Sequence, residues 1–149
     1  LPNIGRRISN RVKYGWITCN KMCTMCCHSY NTKMIKCNHT GEKFEIKQSI
    51  HCKSRNCIYL IQCSKCSQQY IGKTTQQLSS RIQAHRDSIG KRETSIGNHF
   101  SKNGHSSSDM RIFGIEIVNG DEFTLMQREQ FWINKFDSIH HGLNNNRAL

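Results

Sequence analysis

At 149 residues the chain is the usual size of one domain and is long enough to bury a core unaided. Its 22 Lys and Arg outnumber 10 Asp and Glu, a formal +12, and the basic residues recur from Arg6 to Arg147, which implies a polyanionic partner, nucleic acid. No apolar run approaches the roughly 20 residues a bilayer span needs, so no membrane partner is expected.

The nine cysteines are either a disulfide framework or metal ligands and free thiols. Their odd number, the close pairs Cys23-x-x-Cys26 and Cys63-x-x-Cys66, and eight histidines favour zinc in a reducing, intracellular compartment over a secreted disulfide scaffold. The chain opens on Leu1 rather than Met and reads as a piece of a longer protein.

In chain order, residues 1–52 form a basic, Cys-rich extension with little periodicity, a loop-rich segment that core burial alone would not hold. Cys19, Cys23, Cys26 and Cys52 are its expected zinc ligands, with Cys27, His28, Cys37 and His39 as competitors. Arg6, Arg7, Arg11 and Lys13 are placed to bind phosphates. Residues 53–149 form the second unit. "CIYLIQC", from Cys57, is an almost unbroken apolar run, as a strand covered on both faces would be, and "QQYIGKT" follows closely enough to make an antiparallel hairpin. "QQLSSRIQAHRDSIGK" switches to helical period, with Leu78, Ile82, His85 and Ile89 on one stripe. A short helix and loop lead to "MRIFGIEIV", a third strand ended by Asn119-Gly120, and "FTLMQREQFWINKFD" is again helical.

The last helix carries the strangest placement. Met126, Glu129, Ile133 and Phe136, or equally Leu125, Glu129, Trp132 and Phe136, define an apolar face with a carboxylate in its middle. Such a group requires a cationic partner, either a buried Arg or Lys or a divalent metal ion. Arg81 and His85 stand one helical turn apart and can reach one spot, the first suited to phosphate and the second to proton transfer. If Tyr59 pairs with Gly72 and Ile61 with Tyr70, the two phenols emerge on one face of the hairpin. Gly72 permits close backbone approach and Lys73 adds charge.

Ile58-Tyr59, then Tyr70-Ile71-Gly72, Arg81 and His85 on a helix, Glu129, and Asn144 in "GLN" together resemble the GIY-YIG nucleases, and within them the endonuclease domain of Penelope-like retroelements. There, too, a Cys pair sits between the tyrosine motifs, as Cys63 and Cys66 do here; Cys57 stands where the first motif has its glycine. The resemblance implies an α+β fold with a small three-stranded antiparallel sheet flanked by helices. It also implies a DNA endonuclease that nicks its target so that an upstream reverse transcriptase can prime from the 3′ hydroxyl. Glu129 would hold Mg²⁺ or Mn²⁺, Arg81 would clamp a phosphate oxygen, and Tyr59, with Tyr70 or His85, would activate water. Lys73 and Asn144 would complete the site, and the expected location is nuclear.

Cys63-x-x-Cys66 in a hairpin turn reads as half of a structural zinc site, with His99 and His105 as the expected other ligands, so two zinc ions per chain are expected. A zinc-stabilised nucleic-acid-binding module that does not cut is the alternative reading.

Overall fold

The structure, a computed structural model, describes residues 14–144; Arg6, Arg7, Arg11 and Lys13 lie outside the described residues. Its centre is an antiparallel three-stranded sheet in the order β6-β5-β7. The three strands are β5 (Cys57–Cys63), β6 (Gln69–Thr74) and β7 (Met110–Ile117). As the unbroken apolar run of β5 requires, Cys57, Ile58, Tyr59, Leu60 and Ile61 are all buried. β7 behaves likewise, with Ile112, Phe113 and Ile115 on both of its faces buried. The architecture expected from the resemblance, an α+β fold on a three-stranded antiparallel sheet, is the one found.

Among the described residues four α-helices flank the sheet: α1 (Leu78–Asp87), α2 (Ser95–His99), α3 (Glu122–Phe136) and the single turn α4 (Ser138–His141). Helix α1 ends before Ile89, the last member of its expected stripe. Asp121 caps α3 by accepting from the Thr124 amide at 2.9 Å. The buried face of α3 draws on both of the possible apolar faces, with Leu125, Trp132, Ile133 and Phe136 buried and Met126 exposed. Among the described residues no helix is long and apolar enough to cross a membrane.

The extension does more than the sequence suggested. It forms four short strands, β1 (Gly15–Trp16) parallel to β4 (Ser49–Ile50), and β2 (Met34–Lys36) antiparallel to β3 (Lys43–Glu45). Trp16, Met25, Ile35, Ile46 and Ile50 join the same buried cluster as the sheet. Room comes from Gly114 on β7, where a Cβ would collide with the Ile50 side chain and lie 3.1 Å from the Trp16 ring. Helix α1 also starts and finishes on the extension. Its unpaired first amides are taken by carbonyls, Leu78 donating to Ser54 at 2.9 Å and Ser79 to Cys52 at 2.8 Å, and Arg86 in its last turn donates from Nη2 to the Thr24 carbonyl at 2.6 Å.

Both outer strands are closed by side-chain amides. Gln48 accepts from the Ile117 amide at 2.8 Å and donates to its carbonyl at 2.9 Å, while Asn144 does the same for Ile71, each bond 2.8 Å. Backbone groups that would otherwise face solvent or another chain are thereby paired.

Candidate active site

Pairing of β5 with β6 sets Tyr59 opposite Gly72 and Ile61 opposite Tyr70, the register that puts both phenols on one face. Gly72 is required because the Tyr59 ring crosses it: a Cβ there would stand 2.5 Å from Oη and 2.9 Å from Cε2. β5 has an irregularity between Ile58 and Tyr59 in its pairing with β7, which locally re-aims the strand at this position.

Helix α1 meets this face with the residues one turn apart. Tyr59 Oη lies 2.7 Å from His85 Nε2 and accepts a hydrogen bond from Arg81 Nε at 3.3 Å. Tyr70 completes the group, its ring centroid 5.6 Å from His85 and 6.4 Å from Tyr59. Tyr59 is fully buried and His85 is 6% exposed. Burial drives the Tyr59 phenol above its usual range, helped by Tyr70 and the Glu129 carboxylate and opposed by Arg81. Burial, then the Arg81 charge, pushes His85 down to about 4, so it is neutral near pH 7 and can accept a proton at Nε2. Arg81 can only donate, which leaves the single Tyr59 proton for the imidazole.

On the other side Glu129, 15% exposed, meets Lys73, 40% exposed, with Nζ to Oε1 at 3.3 Å. The cationic partner demanded by that carboxylate is therefore Lys73. No hydrogen bond to Oε2 is formed among the described residues, and the Lys73 stem reaches solvent, so the carboxylate has capacity for a hard dication that keeps most of its water. Lys73 and Arg81 face one another across a cleft of about 330 Å³. Thr74, Thr75, Gln76 and Glu122 also line it, polar groups that no spacing in the sequence singles out.

Asn144 stands apart from this group. Its amide holds the backbone of Ile71, so it positions β6, from which Tyr70 and Lys73 project, and does not face the cleft.

Two sulfur-containing clusters flank α1. The thiols of Cys19, Cys23, Cys26 and Cys52 have their sulfurs within 4.8 Å of one another. The backbone amides of Cys19 and Cys23 donate to Cys26 Sγ at 3.3 Å and Cys19 Sγ at 3.5 Å. The Cys23 amide, foremost, holds Cys19 down at about 6, whereas burial and then the charge of Cys23 push Cys52 up to about 11. Crowded thiols that resist ionising together are what a bound dication reconciles, and the set is compatible with zinc. The competing ligands are elsewhere: Cys27 donates to the Thr24 carbonyl, Cys37 to the Phe136 carbonyl, His39 stacks on His141, and His28 joins no cluster.

In the second cluster Cys63, Cys66, His99 and His105 likewise bring their ligand atoms within 4.8 Å. Cys66 Sγ is 3.4 Å from His99 Nε2, and His105 Nε2 is buried with no partner among the described residues, a cost that a metal bond would remove. Burial, then the charges of His105 and Lys102, brings His99 down to about 4 and keeps it in the neutral, ligating form. All nine cysteines are free of disulfides. Arg86, which ties α1 to the loop between Cys23 and Cys26, went unread in the sequence because a single long-range contact leaves no periodic trace.

The GIY-YIG catalytic domain family matches residues 55–144. Among solved structures the chain is similar to the catalytic domain of homing endonuclease I-TevI, with a TM-score of 0.51 and 21% identity over 60% of this chain and 96% of that one. A glutamate-to-alanine mutant of the catalytic domain of intron endonuclease I-TevI gives 0.52 and 21%, over 62% and 94%. At this identity the likeness speaks to the fold. No curated protein matches the chain.

Proposed function

The chain belongs to the GIY-YIG catalytic domain family and is a nuclease, a hydrolase; from that premise we propose that it is the DNA-nicking domain of a Penelope-like retroelement. The cut would leave a 3′ hydroxyl from which an upstream reverse transcriptase primes, within the nucleus. The observation that carries the reading is the hydrogen-bonded Tyr59–His85–Arg81 cluster, whose Arg81 lines one cleft with Lys73, the ion-pair partner of Glu129. The Cys63-x-x-Cys66 pair between the two tyrosine motifs supports the retroelement assignment within the family.

Attack by water on the scissile phosphorus requires loss of a proton and stabilisation of growing negative charge. The Tyr59 oxygen receives the water proton as its own passes to His85 Nε2, a transfer that the 2.7 Å contact and the neutral imidazole permit. Arg81, with Nε held on Tyr59, keeps its terminal nitrogens for a non-bridging phosphate oxygen. Lys73 adds a second cation at the same cleft. Glu129 would hold Mg²⁺ or Mn²⁺, which when bound supplies charge at the phosphate and the departing 3′ oxygen. The Tyr70 ring, edge-on to His85, packs against the cluster. The four-cysteine and Cys63/Cys66/His99/His105 clusters would each hold a structural zinc ion, fixing α1 and the hairpin in place. The basic residues Arg6, Arg7, Arg11 and Lys13 would add phosphate contacts.

The test is conversion of supercoiled plasmid to nicked circles by zinc-replete protein in Mg²⁺, followed by polymerase extension from the nick. Nicking that is abolished in Tyr59→Phe and nicks that extend directly support the proposal. Absence of nicking by wild type removes the endonuclease reading, and nicks that extend only after phosphatase treatment remove the priming role.

A further inference from the structure

A third cluster, distinct from the active site and from both sulfur-containing groups, lies where the extension meets the end of α3. We propose that His39, Asp137 and His141 form a divalent transition-metal site of two imidazoles and one carboxylate. Their ligand atoms all fall within 4.8 Å of one another.

Two distances inside the cluster differ in kind. His140 Nδ1 approaches Asp137 Oδ1 at 2.7 Å, a direct hydrogen bond that orients the carboxylate from behind. His141 Nε2 stands 3.4 Å from Asp137 Oδ2, too long for such a bond. It equals the edge, about 3.3 Å, of a tetrahedron built on metal–ligand bonds of about 2.0–2.1 Å. The His39 ring lies against His141 with centroids 3.5 Å apart and planes 11° from parallel. Stacked in this way the rings keep their nitrogen lone pairs in nearly parallel planes, so sharing one ion takes a turn of the exposed His39 ring about its side-chain bonds.

Each ligand is anchored by its chain neighbours. Before His39, Asn38 donates from Nδ2 to the Ser67 carbonyl at 2.8 Å and from its amide to Gln69 Oε1 at 3.0 Å, and Cys37 donates to the Phe136 carbonyl. Asp137 has φ 47° and ψ 43°, a left-handed conformation that non-glycine residues adopt at a cost. That reversal between α3 and α4 turns Asp137, His140 and His141 to one side. After His141, the Leu143 amide donates to the Gln69 carbonyl at 2.8 Å and Asn144 grips Ile71. The backbones of the β2–β3 turn and of the α3–α4 junction are thus fixed beside one another before any ion arrives.

Two nitrogens and one oxygen suit Zn²⁺, Co²⁺, Ni²⁺ or Cu²⁺ and are too few oxygens for Ca²⁺ or Mg²⁺. With three protein ligands and an exposed outer side, the site keeps a coordination position for water and binds more weakly than the sulfur-containing clusters. Its ion would cross-brace the extension to the C-terminal end of the nuclease fold.

The experiment uses Zn²⁺ alone. Wild type, His39→Ala, His141→Ala and His28→Ala, the last removing an imidazole outside all three clusters, are equilibrated at a buffered micromolar free Zn²⁺ concentration and analysed for zinc per chain. The expected result is one equivalent fewer in His39→Ala and in His141→Ala than in wild type, with no loss in His28→Ala. The comparison is between variants, so it holds whatever the sulfur-containing clusters bind and whether or not the protein nicks DNA. Equal zinc in wild type and the two variants, or an equal loss in His28→Ala, overturns the site. As a second readout, raising free Zn²⁺ through the micromolar range should lift the wild-type melting temperature and leave that of His141→Ala unchanged; parallel curves would overturn the proposal equally.

Discussion

Glu129→Gln separates the two partners its carboxylate can have, because the side chain keeps its shape and loses only its charge. The pair with Lys73 spans 3.3 Å, with Glu129 15% and Lys73 40% exposed. An ion pair with one partner so well hydrated contributes about 0.5–1 kcal/mol, and its loss leaves Lys73 able to turn to water. For a domain of this size that is a fall in melting temperature of about 1–4 °C. A fully buried partner would instead be stranded at about 3–5 kcal/mol. The chemistry is far more sensitive. Losing the group that holds the dication removes several kcal/mol of transition-state stabilisation, and at about 1.4 kcal/mol per decade nicking should fall about 10³-fold. DNA affinity should not fall, since a negative charge has been removed beside Lys73. Nicking of supercoiled plasmid in Mg²⁺, binding to the same DNA, and melting without added Mg²⁺ are measured on protein whose zinc content is unchanged. Wild-type nicking by folded Glu129→Gln refutes the reasoning. So does a large drop in melting temperature with normal activity in the folded fraction, which would make the pair purely structural.

Gly72→Ala places a methyl 2.5 Å from Tyr59 Oη, and should cost about 1–3 kcal/mol while lowering nicking disproportionately, because the phenol is forced off His85 and Arg81; an alanine variant that nicks normally contradicts the placement. Asn144→Ala frees both backbone groups of Ile71 and should destabilise by about 1–3 kcal/mol, read as faster hydrogen exchange at the Ile71 amide, with nicking still saturable by the same metal. For pH, burial and the Arg81 charge lower His85 from 6.5 to about 4, so between those values the unfolded chain takes up a proton that the folded one refuses. Stability from this group is therefore complete above pH 6.5 and is lost toward pH 4 by on the order of 3 kcal/mol. Urea titrations should show a shallower decline across that window for His85→Gln than for wild type, and identical declines would rule the effect out.

The sheet and its principal helices were legible because they are long enough for a pattern to repeat. The seven apolar residues of β5 made the hairpin itself readable, whereas its register was open to a one-residue slip and is set in the structure by the Tyr59 ring crossing Gly72. Close Cys spacing made two side-chain clusters readable for a similar reason: a C-x-x-C turn has little freedom. What the sequence hid depends on single long-range contacts. β1 and β4 have two residues each, too few for any period, and their docking depends on Gly114, sixty-odd positions from Ile50. Whether Leu125 or Met126 turned inward was undecidable from helical spacing, which serves both, and was settled by the packing of α3 on β5 and β6. Asn144 looked like a site residue by its place in the motif, whereas its amide answers to the unpaired edge of β6. His39 was readable only as a competitor for the cysteines, since its neighbours in space lie a hundred residues away.

The grip of the extension on α1 bears on how such a nuclease can be inherited or dissected. The helix that presents Arg81 and His85 begins on the Cys52 carbonyl and ends with Arg86 on that of Thr24. A cut at residue 53, the natural seam in the sequence, would leave Ser79 without its acceptor, open Gly114 to water and release the far end of the helix. The two segments are separable on paper and interlocked in space, so recombination that exchanges one without the other delivers a hairpin whose catalytic helix has lost its registration. Lineages in which the catalytic helix rests on such a Cys-rich segment should accordingly pass on the segment and the nuclease as one heritable block.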